Sequence, residues 1–367
     1  MNFTIEKDLW EYLASTDKTI VMYGMGNGAD KILAACEEKG VTVSDFFASD
    51  GFVRGHCFHG KTVKSWSEIK EIYGAEKVIV LLSFGSSRPE VLENILRIAS
   101  EAELYAPDVP AFGDGLFDRA FFEAHRAEIE GAYALLSDEE SKRIFENVLR
   151  FKLTGDIQFL FRAVSNEEEI FSHLVQPERI TNAADLGAYN GDTARELLEY
   201  SKGNVKKIYA MEPDARNFRK LQAYAETENR AEIIPCNVGA WSEKTTLYFD
   251  GSGNRNASFG SNRSETLADR PVKLKAVEAD TLDNILAGNA VDYIKYDVEG
   301  SEREAILGSR ETIKKGHPTL LVSLYHRNED VFALPLMVKE LFPAYQGFYL
   351  RRFVGVPAWD LNLYVKK

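Results

Sequence analysis

The sequence contains few cysteines and no long apolar run. Its three cysteines, Cys36, Cys57 and Cys236, lie far apart and form no CxxC pair, so we expect neither a disulfide framework nor a zinc site. No apolar stretch approaches the ~20 residues of a membrane span. The first residues, MNFTIEKDLW, lack the basic-then-apolar build of a signal peptide. These absences predict a cytoplasmic protein that does not insert into a membrane.

Positive charge is also scarce. The chain has 44 Lys and Arg residues against 57 Asp and Glu residues, which gives a formal net charge of −13. Such a protein repels polyanions, so nucleic acid is not an expected partner. With 367 residues, 45% of them hydrophobic, the chain is long enough and apolar enough for two domains. We find no internal repeat.

The stretch 181–214 organises the rest of the chain. It reads as a short buried strand, a glycine turn, an amphipathic helix and a second strand that ends on an acid, which is half of a nucleotide-binding α/β unit. A dinucleotide fingerprint starting at Gly187 requires glycine at position 189 and a small residue at position 192. The sequence instead has Tyr189 and Asp192. A carboxylate at a helix N-terminus disfavours a pyrophosphate there.

The remaining pattern is acidic. Asp185-x-Gly187-x-x-x-Gly191 is followed about twenty residues later by Glu212, at the position where an acid binds the two hydroxyls of a ribose. A nucleoside that has a positive charge and no phosphate suits both acids. The pattern therefore favours S-adenosylmethionine as the ligand. The alternative is an ordinary βαβ unit with a glycine turn.

A second strand–helix alternation precedes this stretch. It predicts a smaller Rossmann-like α/β domain at 1–112, with strands at 19–24, 41–48 and 75–84. Gly24-x-Gly26-x-x-Ala29 matches the dinucleotide fingerprint, with Asp45 or Asp50 as the ribose acid. Because no second full βαβαβ half follows, we favour a docking or substrate-handling module without a cofactor and do not expect useful NAD affinity. Nucleotide binding is the alternative.

The remaining chain divides into a helical part and a second α/β domain. Apolar residues spaced by three and four predict a helical connector or cap at 113–175, with a capping box formed by Ser137 and Glu140. Residues 176–367 predict a domain with five parallel strands and a terminal antiparallel pair, which together make a seven-stranded sheet. Between two of its strands, the polar loop 251–264 carries Arg255 and Arg263. We expect this loop to be mobile without a ligand. It is either a solvated hairpin tip or a lid whose arginines meet an anionic acceptor.

Five segments resemble the successive motifs of the FkbM-type methyltransferases. They are DLGAYNGDT (185–193), MEPD (211–214), ADTLDNIL (279–286), YIKYDVEGSE (293–302) and LYH (324–326). The resemblance covers about residues 134–367, and Tyr189 departs from the smaller or polar residue that the family often has there. It implies an α/β class I Rossmann-like fold, S-adenosylmethionine as methyl donor, and O-methylation in pathways of sugars or other secondary metabolites.

The strand ends and the resemblance together give a set of candidate site residues. Those assigned to the cofactor are Asp185, Gly187, Ala188, Asn190, Gly191, Glu212, Pro213, Asn237, Val238 and Asp297. Those assigned to catalysis are Asp297, Glu299 and His326, with His326 as the candidate base because an imidazole titrates near neutral pH. Alternatively, His326 is a core histidine with satisfied hydrogen bonds. A further alternative is that Asp297, Glu299 and His326 bind a divalent cation. One histidine with loose spacing is a weak metal pattern, so we assign no metal ligand. Glu302 is interpreted as a first-turn acid that complements the helix dipole.

The predicted function is O-methylation of a carbohydrate or a related secondary-metabolite acceptor, and an anionic acceptor is compatible with it. The sequence does not determine whether the protein is a monomer or an oligomer. One alternative is a dinucleotide-dependent oxidoreductase or epimerase that uses the turn at 24–29. No Tyr-x-x-x-Lys hydride site accompanies that turn, which disfavours it. The other alternative is a non-catalytic scaffold that binds the cofactor.

Overall fold

The N-terminal part of the chain forms a parallel five-stranded sheet. The structure, a computed structural model, describes residues 1, 5–53, 55–250 and 274–367. The strands of this sheet are β1 (Thr19–Tyr23), β2 (Asp45–Ala48), β3 (Lys64–Ser65), β4 (Val78–Leu82) and β5 (Glu103–Tyr105). They lie in the order β3-β2-β1-β4-β5. Their helices are α1 (Leu9–Ser15), α2 (Asn27–Glu38), α3 (Trp66–Tyr73) and α4 (Pro89–Glu101).

Helices cover both faces of this sheet. Val21 and Tyr23 of β1 belong to the same apolar cluster as the buried residues of α3 and α4. The alternate residues Ile20 and Met22 pack instead with α1 and α2. A strand that is buried on both faces needs an unbroken apolar run rather than an alternating one, and TIVMY is such a run. The predicted Rossmann-like unit is therefore present, although β2 and β4 are shorter than the stretches 41–48 and 75–84.

A helical segment follows the first sheet. Its helices are α5 (Arg119–Ala124), α6 (Arg126–Leu135), α7 (Glu139–Thr154), α8 (Gln158–Phe161) and α9 (Glu167–Glu169), and α9 continues into a π-helical turn at Ile170–Val175. The predicted capping box at Ser137 is wrong. Asp138 caps α7 by accepting a hydrogen bond from the Ser141 amide at 2.7 Å. Ser137 Oγ accepts one from the Phe348 amide at 2.8 Å, so it joins the connector to the second sheet.

The second half of the chain contains a seven-stranded sheet and a smaller one. Its strands are β6 (Asn182–Leu186), β7 (Lys207–Met211), β8 (Glu232–Cys236), β9 (Gly239–Ala240), β10 (Thr245–Asp250), β11 (Leu274–Asp280), β12 (Tyr293–Tyr296), β13 (Thr319–Ser323), β14 (Gly347–Arg352) and β15 (Leu361–Lys366). The large sheet has the order β8-β7-β6-β12-β13-β15-β14, and β9, β11 and β10 form the small one. Only β15 runs antiparallel to its neighbours in the large sheet, which confirms the predicted seven strands and terminal pair. The loop predicted at 251–264, hairpin tip or lid, lies outside the described residues.

Helices also flank the large sheet. They are α10 (Asp192–Tyr200), α11 (Ala215–Thr227), α12 (Leu282–Leu286), α13 (Glu302–Leu307), α14 (Arg310–Gly316) and α15 (Asp330–Leu341). Asp214 starts α11 as predicted, because its side chain accepts hydrogen bonds from the amides of Arg216 and Asn217. In the part of the chain that the structure describes, no helix has the length and apolar character needed to cross a membrane.

The segment 106–118 joins the two sheets through specific contacts. The amide of Ala106 donates to the carbonyl of Gly155 at 2.8 Å, and the amide of Phe112 donates to the carbonyl of His326 at 3.0 Å. The buried Phe112 ring also stands edge-on to the His326 ring, with 5.8 Å between their centroids. The ammonium of Lys31 in α2 donates to the carbonyls of Pro110 and Ala111, so the segment contacts both α/β units and the connector. The predicted domain boundaries at 112 and 175 stay predictions.

Arg351 of β14 ties the connector to the large sheet. Its side chain is 2% exposed and forms ion pairs with Asp138 at 2.8 Å and Glu169 at 3.0 Å. Asp138 is the cap of α7, and Glu169 ends α9, so one guanidinium holds two helices. A buried charge of this kind is satisfied only while both partners are present.

We expect Arg351→Ala to lower the free energy of unfolding by about 3–5 kcal/mol, because it removes the shared partner of two acids from a buried position. Urea denaturation measures this change. The control is Arg126→Ala, since Arg126 pairs with Glu123 at 2.6 Å but is 43% exposed. That variant should lose no more than about 1 kcal/mol. Equal losses in the two variants would contradict the role given to Arg351.

Candidate active site

The candidate site lies at the carboxyl ends of the central strands of the large sheet. The strand order reverses between β6 and β12, and ligands of open α/β sheets bind at such a switch point. Asp185 lies in β6, Glu212 follows β7, Asn237 follows β8 and Asp297 follows β12. The side-chain amide of Asn237 donates to the Glu212 carbonyl at 2.8 Å. Folding thus brings these four predicted residues to one edge of the sheet.

The glycine turn after β6 closes tightly against the end of β12. Gly187 has a φ of +88°, and a Cβ there would lie 1.9 Å from the Asp297 carbonyl oxygen. The amides of Gly187 and Ala188 both donate to the Met211 carbonyl at 3.0 Å. Only glycine combines this φ with so close a backbone approach. Gly191 then begins α10 with a φ of +83°.

The other residues predicted around the turn differ in what they offer a ligand. Ala188 is fully buried in the core, so its side chain has no access to a ligand. The Asn190 side chain already accepts a hydrogen bond from Arg195 at 3.1 Å. Tyr189, the departure from the family pattern, is 43% exposed.

Glu212 holds the turn and the start of α11 together. It is 6% exposed, and its two carboxylate oxygens accept the amides of Tyr189 and Asp214, each at 2.8 Å. Burial raises the pKa of Glu212 to about 7, with the charges of Asp214 and Asp185 adding to the effect and the two amides opposing it. The carboxylate is therefore fixed in place and keeps acceptor capacity for hydroxyl groups.

Asp185 is a buried carboxylate with no hydrogen bond. It is 3% exposed, and neither of its oxygens has a partner among the described residues. The nearest cation is Lys295, whose Nζ lies 3.9 Å from Oδ1. Burial raises the pKa of Asp185 to about 6, against the charge of Lys295. A buried acid without a hydrogen bond is costly, and positive charge placed over the glycine turn would offset that cost, so the negative charge of Asp185 and Glu212 fits a cationic nucleoside.

Asp297 connects this region to the predicted catalytic residues. Its Oδ2 lies 3.1 Å from the Lys295 ammonium, and its Oδ1 accepts the Tyr325 hydroxyl at 2.8 Å. Burial opposes ionisation, but the charges of Lys295 and His326 outweigh it and lower the pKa of Asp297 to about 2. Asp297 is thus a permanent carboxylate at neutral pH.

His326 lies among three acids. It is 2% exposed; its Nδ1 lies 2.9 Å from Glu302 Oε1, and its Nε2 lies 3.6 Å from both Asp297 Oδ1 and Glu299 Oε2. Burial alone would lower the pKa of His326, but Glu302, Asp297 and Glu299 raise it to about 10. The argument that this imidazole titrates near neutral pH is therefore wrong for the folded protein, because surrounding carboxylates stabilise the imidazolium.

Glu299 is the accessible member of the predicted catalytic set. Its side chain is 57% exposed, and its backbone adopts a φ of +55°, which is uncommon outside glycine. Part of the side chain reaches solvent, but neighbouring atoms partly desolvate the carboxyl group, and this raises the pKa of Glu299 to about 7, against the charge of His326. The three predicted catalytic residues, Asp297, Glu299 and His326, do come together.

Sequence reasoning missed Lys295 and Tyr325 of this cluster and assigned Glu302 only part of its role. Glu302 is not only a first-turn acid of α13: it is 1% exposed, and its Oε1 also accepts the Val298 amide at 2.9 Å. Lys295 and Tyr325 supply the other contacts of Asp297. Lys295 had a signal in the sequence, since it is the one charged residue within the buried strand YIKY.

The glycine turn of the first sheet does not offer a comparable site. A Cβ on Gly24 would lie 2.6 Å from the Phe84 ring, so an aromatic side chain already packs against the turn. Asp45 lies at the start of β2 rather than at its carboxyl end, and its carboxylate is bound by Lys64 at 2.6 Å and Tyr73 at 2.8 Å. It therefore cannot serve as a ribose acid, which leaves Asp50 for that alternative.

Comparison with known proteins identifies the region that carries this site. Residues 185–349 match the family model of the methyltransferase FkbM domain. The chain carries an FkbM methyltransferase domain. The predicted resemblance and the predicted enzyme class, an S-adenosylmethionine-dependent methyltransferase, are thereby confirmed. The match begins at Asp185 and includes the glycine turn, Glu212 and the cluster around Asp297.

Solved structures agree on the fold of this FkbM-domain chain. The crystal structure of methyltransferase FkbM from Methylobacillus flagellatus KT is 20% identical, with a TM-score of 0.70, and the match covers 95% of this chain and 90% of that chain. At this identity the similarity establishes the fold alone, and its coverage includes both sheets. Aeropyrum pernix fibrillarin with bound S-adenosyl-L-methionine is 12% identical over 52% of this chain and 68% of that one, with a TM-score of 0.32, too low to carry an argument. No curated protein matches the sequence.

We expect Gly187→Ala to destabilise the protein by several kcal/mol, because the added Cβ meets a backbone carbonyl and the positive φ disfavours alanine. The control is Gly203→Ala, which has a similar φ of +80° but nothing within 4 Å of the added Cβ. That variant should cost only about 1 kcal/mol. The free energies of unfolding in urea give the comparison. If the two variants lose the same amount, the close approach of Gly187 to Asp297 is not what the position requires.

Proposed function

We propose that this protein transfers a methyl group from S-adenosylmethionine to a hydroxyl of a carbohydrate or related secondary-metabolite acceptor. The observation that carries the cofactor part is the pair of fixed acids at the glycine turn, one of them unsatisfied. When bound, the cofactor supplies an electrophilic methyl group on a positively charged sulfur. The chain's own residues bind it, orient the acceptor and exclude water.

Each predicted cofactor residue has a role that its position supports. Gly187 and Gly191 let the ligand approach the backbone, with Ala188 and Asn190 contributing main-chain atoms of the same turn. Glu212, followed by Pro213, faces the ribose hydroxyls. Asn237 and Val238 follow β8 and flank the base. Asp185 offsets the positive charge of the methionine part.

The acceptor side is built from Asp297, Glu299 and His326. Asp297 follows β12, next to the glycine turn, and so lines both ligands. Its carboxylate, fixed by Lys295 and Tyr325, can accept a hydrogen bond from the acceptor hydroxyl and orient it. Glu299 is the member of the cluster that reaches solvent, so it is the group placed to pass the hydroxyl proton outward. His326 holds the two acids in position as a buried cation.

Replacing Glu212 with alanine tests the cofactor site. The variant loses a charged acceptor for two hydroxyls, about 2–3 kcal/mol or about a hundredfold in S-adenosylmethionine affinity, as measured by calorimetry. Because Glu212 also holds two backbone amides, thermal unfolding of the variant is measured alongside. Glu199→Ala, a change at an exposed position of α10, is the control and should bind like the wild type. Wild-type affinity in the Glu212 variant removes this residue from the site.

The acceptor class is tested by following S-adenosylhomocysteine formation with a panel of acceptors. The panel contains neutral sugars, sugar acids, nucleotide sugars, a catechol and an RNA oligonucleotide. We expect turnover with a sugar or sugar derivative, and Asp297→Asn should lower kcat by a factor of at least about 100 because it removes an orienting charge from the hydroxyl. Turnover with RNA or the catechol but no sugar would overturn the proposed acceptor class while leaving the enzyme class intact.

A further inference from the structure

Asp297, Glu302 and His326 form a cluster whose geometry points to a further ligand. Each of the three offers one donor atom, and these atoms lie within 4.8 Å of one another. We propose that His326 and Asp297 of this cluster bind one divalent cation beside the acceptor hydroxyl, while Glu302 holds the imidazole in position. The proposal deepens the proposed function and rests on it for the role of the ion, but the binding itself can be measured without cofactor or acceptor.

His326 has the orientation of a metal ligand whose second ring nitrogen is held by a carboxylate. Its Nδ1 is held by the buried carboxylate of Glu302 at 2.9 Å, and such a carboxylate partner on the far ring nitrogen is the usual support of a metal-binding histidine. Its Nε2 faces Asp297 Oδ1 and Glu299 Oε2, each at 3.6 Å. Both distances are too long for a hydrogen bond. Two donors about 2.1 Å from one ion are roughly 3.4–3.6 Å apart in tetrahedral geometry.

A second observation concerns unsatisfied charge in the same place. The Glu302 side chain is only 1% exposed. Its Oε2 has no hydrogen-bond partner among the described residues. Lys295 is bonded to Asp297 on the side away from the imidazole, through Oδ2, and so leaves Oδ1 facing Nε2. A buried carboxylate oxygen without a partner is costly, and a cation in the cluster offsets that cost.

The donor set indicates which ions fit. One imidazole nitrogen and carboxylate oxygens suit Mn²⁺, Fe²⁺ or Zn²⁺ better than Ca²⁺, which prefers oxygen alone. The ion would replace the proton on His326 Nε2, so the imidazolium of the ion-free protein becomes a neutral ligand and metal binding releases one proton. His326 Nε2 and Asp297 are the direct ligands, Glu302 is the positioning residue, and the exposed side chain of Glu299 can turn to add a third ligand. An ion there would act as a Lewis acid on the acceptor hydroxyl. The hydroxyl loses its proton to bulk water, its oxygen bonds to the methyl carbon, and the sulfur–methyl bond breaks.

Isothermal titration of untagged, chelator-treated protein with MnCl₂, ZnCl₂ or MgCl₂ tests the proposal without cofactor or acceptor. We expect one Mn²⁺ or Zn²⁺ per chain in the wild type. Asp297→Asn and His326→Asn should each weaken binding at least tenfold, and Glu302→Gln should weaken it less because the ligands remain. The control is Asp360→Asn, which removes one carboxylate that interacts electrostatically with Asp297 without removing a proposed ligand, and it should bind the ion like the wild type.

The wild-type titration decides the matter even if a variant fails to fold. Absence of a bound ion at millimolar MnCl₂ and ZnCl₂ overturns the proposal, as does undiminished binding in folded Asp297→Asn and His326→Asn. Electron paramagnetic resonance of Mn²⁺ reports nitrogen coordination and should lose the nitrogen coupling in His326→Asn. Ion binding without any methyl transfer would leave the site assigned and refute only the proposed function. Methyl transfer by a protein that binds no ion would support the proposed function and refute the ion site.

Discussion

The contact between Gly187 and the carbonyl oxygen of Asp297 sets the geometry on which the rest of the site depends. A side chain at position 187 would overlap that carbonyl at 1.9 Å, so two strand ends meet without any side chain between them. Asp185, at the end of β6 before this turn, is buried, and the amide of Tyr189 in the turn donates to Glu212. The close approach also places Asp297 directly beside the turn. One glycine thus lets the end of the strand that carries Asp185 meet the residues that follow β12, Asp297 among them.

The site concentrates negative charge and compensates it only in part. Lys295 is the ammonium that contacts both Asp185 and Asp297, and these two carboxylates raise its pKa despite its burial. His326 supplies the second positive charge, held by Glu302. A positively charged cofactor near Asp185 would add to this balance, and a divalent cation at Asp297 would take the place of the imidazolium proton. The same charge arrangement disfavours phosphate groups at the glycine turn, in agreement with the departure from the dinucleotide fingerprint.

Sequence reasoning performed well where the signal is local. The stretch 181–214 was predicted correctly because a strand, a turn and a helix each leave their own periodicity, and Asp214 caps α11 within three residues. It failed where partners are distant in the chain. Glu302 and His326 are 24 residues apart, so neither the buried role of Glu302 nor the altered pKa of His326 has a local signal. Ser137 was misassigned because Asp138 competes for the same cap, and Ser137 bonds instead to Phe348, far along the chain.

The segment that connects the two sheets has a consequence for how the protein can be divided. Phe112 covers one side of His326 and donates its amide to the carbonyl of that residue, while Gly300 provides the space for its ring. A chain cut at this point would expose the imidazole to water and leave its carbonyl without a donor. Water there would screen the attraction between the histidine and its acids. The segment that leaves the first α/β unit is therefore a wall of the cluster around His326, and removing that unit together with this segment would open the cluster to solvent.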